Sequence, residues 1–259
     1  MHLKRLLTAA LLLPLLYIYI TKLPPVYFAV LILTVSVITQ SEFYSMYKVK
    51  GFLRYTGIIF GVLIIVSVYA ANNLFPHILL FSFLVITAAR LFLKASPSSA
   101  LSDIAPVVIG LLYIPGLLGY QIDLRKEGAE WIIFLYGTVW GADSFAYYIG
   151  KGIGKRKLYE SVSPNKTVAG AFGSIAGGIV CAVLIKTAFI HPMPLVPAMI
   201  IGAAVGVSTI IGDLVESMFK RDAGVKDSSS LIPGHGGLLD KIDGALFVAP
   251  LLYWMLHKL

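Results

Sequence analysis

Residues 168–189 read VAGAFGSIAGGIVCAVLIKTAF, and Lys186 is the only charge among them. A helix needs about 20 mostly apolar residues to cross a bilayer, and this run supplies them. Lipid offers no partner to a free backbone group, so such a run has to close its own hydrogen bonds as a helix. The run is also rich in small residues: Gly170, Gly173, Gly177 and Gly178. Gly202 and Gly206 repeat the pattern in the next apolar run. Small residues let membrane helices approach closely.

Working outward, the same criterion finds nine candidate spans, at 5–21, 25–41, 56–72, 74–92, 102–120, 130–150, 168–189, 195–219 and 243–258. Composition agrees, with 58% hydrophobic and 13% charged residues. A soluble domain is nearer half apolar and a quarter charged. Pro24, Pro25, Pro76, Pro97, Pro192 and Pro194 fall between spans, where a missing amide donor does little harm. The first run follows Lys4-Arg5 as in a signal peptide, but no small-residue cleavage site follows Ile20, so a retained span is expected. No internal repeat interrupts the pattern. The expected fold is an all-α polytopic membrane protein with about nine transmembrane helices. Residues 1–125 would supply the first five spans, and residues 126–259 the last four with the longer polar loops between them.

The net charge is +8. No nucleic-acid motif accompanies it, and Lys and Arg beside a bilayer set topology and meet anionic headgroups. With a cytoplasmic N-terminus in a bacterial inner membrane, most of the 21 Lys and Arg fall on the inside. That orientation places the polar loops 151–167 and 220–242 in the cytoplasm, where nucleotides are. Cys181 is the only cysteine, so no intrachain disulfide forms, and its apolar setting suits a packing role.

The chain has 13 acidic residues, and Asp103, Asp143, Asp213 and Glu216 fall inside or at the edge of spans. A charge at the bilayer centre costs at least ~2.5 kcal/mol, so each calls for a reason. Asp103 suits the first turn of a helix as a structural acid. Asp143 and Asp213 have functional company. Asp213, Ser217 and Lys220 share one helix face, with Glu216 beside them. That stripe runs into Lys220-Arg221, then Lys226-Asp227, a serine run, Pro233-Gly234-His235-Gly236-Gly237, and Asp240-Lys241-Ile242-Asp243. Carboxylates hold Mg²⁺, which bridges phosphates. Lys and Arg neutralise phosphate oxygens, and glycines let amides approach anions. A phosphate-handling metal site is the economical reading; a solvated loop of mixed charge is the plain one.

A second segment, GADSFAYYIGK at 141–151, puts Asp143 and Tyr147 on one helix face. After it come GIGKRK at 152–157 and SVSPNKT at 161–167. These could grip a nucleotide triphosphate, or serve only as topology determinants. They are not a P-loop.

Between Ser217 and Asp243, the order Ser217-Met218-Phe219-Lys220-Arg221, Lys226-Asp227, Pro233-Gly234-His235-Gly236-Gly237 and Asp240-Lys241-Ile242-Asp243 resembles the phosphatidate cytidylyltransferases, or CDP-diglyceride synthetases. Asp143 to Tyr147 and Ser163 to Thr167 are similar to that family's upstream elements. Three departures stand out: Lys241 where the family has Arg, Ala169 where it has Glu, and Gly244 where Ser is expected. The C-terminal half carries the resemblance by motif, the N-terminal half only by span pattern.

The resemblance implies a magnesium-dependent homodimer that joins CTP to phosphatidic acid in the bilayer, giving CDP-diacylglycerol and pyrophosphate. It implies that residues 126–259 form the catalytic region, with 1–125 as scaffold helices, a lipid groove or dimer contacts, and it implies catalytic roles for Asp227, Asp240, Lys226 and His235. Ser163, Lys166, Thr167, Ser217, Lys220, Arg221, Gly236, Gly237 and Lys241 would contact CTP or the lipid phosphate. Mg²⁺, with a second cation, would be held by Asp227, Asp240, Asp213, Asp243 and Asp143.

Other readings fit the same residues less well, among them a catalytically dead relative with only a structural role. A CDP-alcohol phosphatidyltransferase shares Asp240-x-x-Asp243-Gly244-Ala245 but needs further acids, and none follows Asp243. A CTP-dependent transferase for another lipid phosphate keeps the chemistry and changes the acceptor. An ion-coupled transporter would explain intramembrane acids, but no inverted repeat is present.

Overall fold

The structure is a computed structural model that describes residues 17–70, 74–94, 96–232, 234 and 236–258. In chain order the elements are α1 (Pro25–Met46), α2 (Gly51–Tyr69), α3 (Phe75–Leu93), α4 (Ala100–Leu111), a π-helical turn (Leu112–Gly116), α5 (Leu117–Glu127), α6 (Ala129–Ile153), β1 (Lys157–Tyr159), β2 (Ser163–Thr167), α7 (Val168–Phe189), α8 (Leu195–Asp222) and α9 (Leu239–Leu256). Proline starts α1 in its first turn, where the lost amide has no helical partner anyway.

Among the described residues, six helical segments are long and apolar enough to cross a membrane: α1, α2, α3, the continuous stretch Ala100–Glu127, α7 and α8. The expected spans at 130–150 and 243–258 do form helices, α6 and α9. Both carry acids, Asp143 in one and Asp240 with Asp243 in the other, which dilute their apolar character. The expected span at 5–21 lies largely outside the described residues.

The stretch expected at 102–120 runs on to Glu127. Pro115 sits inside it without ending it, because the wider π turn accommodates a residue that cannot donate. Phe92, Leu101 and Phe172 are 84%, 78% and 70% exposed, as befits side chains that face lipid in a multi-pass bundle.

The all-α expectation needs one correction. Loop 151–167 folds into a two-stranded antiparallel hairpin, with Lys157 opposite Thr167, Tyr159 opposite Ser163 and an irregularity between. Its polar, proline-containing sequence has no helical periodicity to oppose this. Buried Val162 lies in the turn.

Close helix crossings shape the C-terminal half. A Cβ on Gly206 would stand 2.6 Å from Ser174 O, so α7 and α8 meet backbone to backbone. Ser174 Oγ seals that crossing by donating to Gly206 O at 3.0 Å. In the N-terminal half, α1 is the hub. Gln40 Nε2 donates to Gly57 O at 3.0 Å, and Tyr44 OH donates to Val107 O at 3.0 Å, so polar side chains tie α1 to α2 and α4.

Candidate active site

The local crossing of α8 and α9 builds the site. A Cβ on Gly212 would meet Asp243 O at 2.7 Å, and the neighbouring Gly244 Cα at 3.3 Å. Glycine at both positions brings Asp213 and Asp243 to one side of the crossing. The Gly244 departure fits this geometry, since a Cβ there would already meet Thr209 Cγ2 at 3.1 Å and Val139 Cγ1 at 3.3 Å.

A cavity of about 640 Å³ opens beside that crossing. Small-molecule sites span about 300–1,000 Å³. Asp143 on α6, Asp213 on α8, and Asp240 and Asp243 on α9 all line it. So do Ser163, Asn165, Lys166 and Thr167 of β2, and Tyr147 and Lys151 of α6. The hairpin forms a wall: Lys166 reaches across to pair with Asp213. Thr167 also accepts from Gly170 N at 3.1 Å and so caps α7. Lys151 lies 5.6 Å from the centre of the Tyr147 ring, within cation–π range.

The motif from Ser217 to Asp243 lies mostly outside the cavity, apart from Asp240 and Asp243. Lys220 is nearly buried between two acids, pairing with Glu216 and with Asp240 Oδ1 at 2.6 Å. Asp240 Oδ2 accepts from Ser228 N at 3.0 Å, Ser228 Oγ at 2.8 Å and Gly237 N at 2.7 Å. The Gly237 amide, expected to meet phosphate, therefore points inward at Asp240. Gly236 has φ +84° and accepts a backbone bond from Ile232 N at 2.9 Å. Arg221 donates to Val162 O and Val225 O, which ties the hairpin to the loop after α8. Ser217 is buried, 3.4 Å from Asp213. Lys226, Asp227 and Lys241 are exposed and stand apart from the cavity lining. His235 lies outside the described residues.

Asp103 belongs to a separate cluster. It receives Arg90 Nε at 2.6 Å and Lys94 Nζ at 3.2 Å at the start of α4. Arg90 is buried and also donates to three backbone carbonyls, so this acid is a structural anchor.

Tyr147, on the helix face expected to carry Asp143, lines the cavity as well. Two contributions were not singled out as site residues in the sequence. Lys151 faces the cavity one turn after Tyr147. Glu42, buried on α1, accepts from Ser229 Oγ at 2.6 Å, Leu238 N at 3.0 Å and Leu239 N at 2.8 Å. Its signal was an acid at the end of an otherwise apolar helix with no basic residue three or four positions away.

The site suits a hard divalent cation in its chemistry. Four carboxylates share the cavity with two lysines, and among the described residues no side chain pairs with Asp143 or Asp243. No three acidic, His or Cys side chains of the described residues stand close enough to complete a metal cage. Mg²⁺ tolerates this, because it keeps waters and is bound through one or two carboxylates plus substrate phosphates.

The sequence profile of the cytidylyltransferase family matches residues 3–259. The chain belongs to that family. It is accordingly a nucleotidyltransferase, which sets aside the transporter reading. A phosphatidate cytidylyltransferase of Synechocystis is 32% identical over 88% of this chain and 87% of its own length. One of Staphylococcus saprophyticus is 34% identical over 86% of each. The Bacillus subtilis phosphatidate cytidylyltransferase is 39% identical over 60% of this chain, an alignment that spans 58% of that relative.

Proposed function

We propose that this cytidylyltransferase joins CTP to phosphatidic acid, giving CDP-diacylglycerol and pyrophosphate. The observation that carries the reading is the convergence of Asp143, Asp213, Asp240 and Asp243, from three helices, on a cavity also lined by Lys151 and Lys166. Such a cavity repels two anionic substrates unless cations come with them. Its position among helices that suit a bilayer favours a lipid acceptor.

The phosphate of phosphatidic acid is already an anion at neutral pH and needs no general base. One of its oxygens bonds to the α-phosphorus of CTP as the bond from that phosphorus to the bridging oxygen breaks, and pyrophosphate leaves. Catalysis of this kind is mainly positioning and electrostatics. One or two of Asp143, Asp213 and Asp243 would hold Mg²⁺ together with waters and substrate phosphates, with Asp240 at the edge of the set; a second cation would draw on the remaining acid. When bound, the metal would screen the facing phosphates and draw charge from the leaving group. Lys166 would exchange its pairing with Asp213 for a phosphate oxygen, and Lys151 would cover another from α6. Ser163, Asn165 and Thr167 line the same wall and suit hydrogen bonds to the nucleotide. Lys220 holds Asp240 in place and does not grip phosphate itself.

The orientation that accompanies this reading puts the N-terminus, the hairpin and the loop before α9 in the cytoplasm of a bacterial inner membrane. Basic residues in both loops favour it. A homodimer is part of the proposal, and the mass of the detergent-solubilised protein tests it.

The deciding experiment gives purified protein radiolabelled CTP, dioleoyl phosphatidic acid and Mg²⁺. Label entering the organic phase, absent with EDTA and absent in Asp143→Asn, is the expected result. Product with a different lipid phosphate alone would move the acceptor. No product with any acceptor, from folded protein, would overturn the reading.

A further inference from the structure

α9 begins without a cap of its own: Leu238 occupies the N-cap position and supplies no side-chain acceptor. A helix N-terminus leaves backbone donors unpaired and carries partial positive charge. Here the missing acceptor comes from α1. Glu42 Oε2 takes Leu239 N at 2.8 Å, and Oε1 takes Leu238 N at 3.0 Å and Ser229 Oγ at 2.6 Å. Ser228 Oγ lies 3.4 Å from the same carboxylate while donating to Asp240 at 2.8 Å. Glu42 is only 6% exposed, and among the described residues no cation pairs with it.

The space around Glu42 is fitted to it. A Cβ on Gly237 would strike Ser228 Oγ and stand 2.7 Å from Glu42 Oε1. So the second glycine of the Gly236-Gly237 pair leaves room for an acid from the opposite half of the chain. Two carboxylates thereby grip one short loop. Asp240 holds it from α9 itself, and Glu42 holds it from the N-terminal helices.

We infer that Glu42 is a positioning residue for the active site. It fixes the start of α9 and the serine loop relative to the bundle, and so sets where Asp240 and Asp243 face the cavity. It touches neither substrate in this arrangement, since it does not line the cavity. The inference rests on the reading of that cavity as the catalytic centre. Its consequence is that the N-terminal helices, beyond serving as scaffold, supply part of the support for the reacting groups.

The test uses full-length protein in detergent with three forms: wild type, Glu42→Gln and Ser229→Ala. Glutamine keeps the shape but turns one acceptor into a donor that faces the Leu239 or Leu238 amide. Ser229→Ala removes a single bond and keeps the acid, so it serves if the first variant folds poorly. Two readouts are taken: steady-state kinetics per folded molecule, and hydrogen–deuterium exchange across 226–243. Glu42→Gln is expected to lower kcat by roughly tenfold or more, the factor for losing charged hydrogen bonds. The KM for CTP should stay within about twofold, because α6 and β2 are untouched. Exchange should quicken in 228–241 and stay unchanged in α7. Ser229→Ala should show the same pattern at a few-fold. A kcat within twofold of wild type in folded Glu42→Gln, or unchanged exchange in 228–241, overturns the inference. A purely structural role would lower the melting temperature without moving kcat per folded molecule, and that result also overturns it. If the wild type turns over no CTP, the cavity reading fails instead, and the exchange measurement alone still decides whether Glu42 anchors the loop.

Discussion

Lys220 Nζ stands 2.6 Å from Asp240 Oδ1 while also pairing with Glu216, so one nearly buried ammonium joins α8 to α9 between two carboxylates. Glu216 is 1% exposed on its side chain, and this cation is the only one paired with it among the described residues. Removing one partner of a buried pair is far more damaging than removing the whole set. Lys220→Met should therefore destabilise the protein by roughly 3–5 kcal/mol. Adding Glu216→Gln should recover part of that loss. Thermal melts of both single variants and the double in one detergent measure the coupling. A double variant no more stable than Lys220→Met would show that Glu216 does not rely on Lys220.

Two membrane acids should behave differently. Asp143 faces the cavity, whereas Asp103 is held by Arg90 and Lys94 at the start of α4. Asp143→Asn should reduce kcat by roughly a hundredfold, the scale for losing a charge that acts at the reacting centre, with little change in melting temperature. Asp103→Asn should leave kcat per folded molecule nearly intact and lower stability by about 1–3 kcal/mol, because it leaves Arg90 buried without its counter-ion. The reverse ordering would remove Asp143 from the site.

Gly244 should resist conversion to the family's serine. Side chains of Thr209 and Val139 sit within 3.1 Å and 3.3 Å of any Cβ there. Gly244→Ser should cost about 1–3 kcal/mol as overpacking. Gly212→Ala, which drives a methyl toward the Asp243 carbonyl, should be worse in both stability and activity. Melting curves and turnover numbers for the pair rank the two.

Lys241 is exposed and away from the cavity lining. Lys241→Arg should keep turnover within about twofold, as expected for a surface change that touches no buried partner. A folded, inactive Lys241→Arg would show that this residue reaches substrate.

The helices were legible because apolar runs report burial in lipid directly, and residues 168–189 and 195–219 became α7 and α8 almost to the residue. Asp143 and Asp213 were legible as candidates because charge at membrane depth needs a reason, and Lys166 because it sits in a basic loop with a Ser-Pro turn; all three line the cavity. Harder to read was direction. Lys220 and Gly237 lie in a motif that suggests phosphate, yet both turn inward to Asp240. Local spacing fixes which helix face a residue occupies, but not which of several nearby acids its ammonium will meet. The hairpin at 157–167 was missed because two strands this short carry almost no periodic signal. Glu42 was missed because its partners are nearly two hundred residues away, and no local pattern records a contact across the whole chain.

That separation also bears on how the protein is made. Glu42 and Leu239 are 197 positions apart. At about 5–20 residues per second, the ribosome delivers Leu239 roughly 10–40 s after Glu42. Throughout that interval the acid on α1 waits without the amides from which it will accept. The loop before α9 can reach its final form only when α9 has been made, so a chain released before it would carry every wall of the cavity except the one that α9 provides, and a charged group with nothing yet to hold.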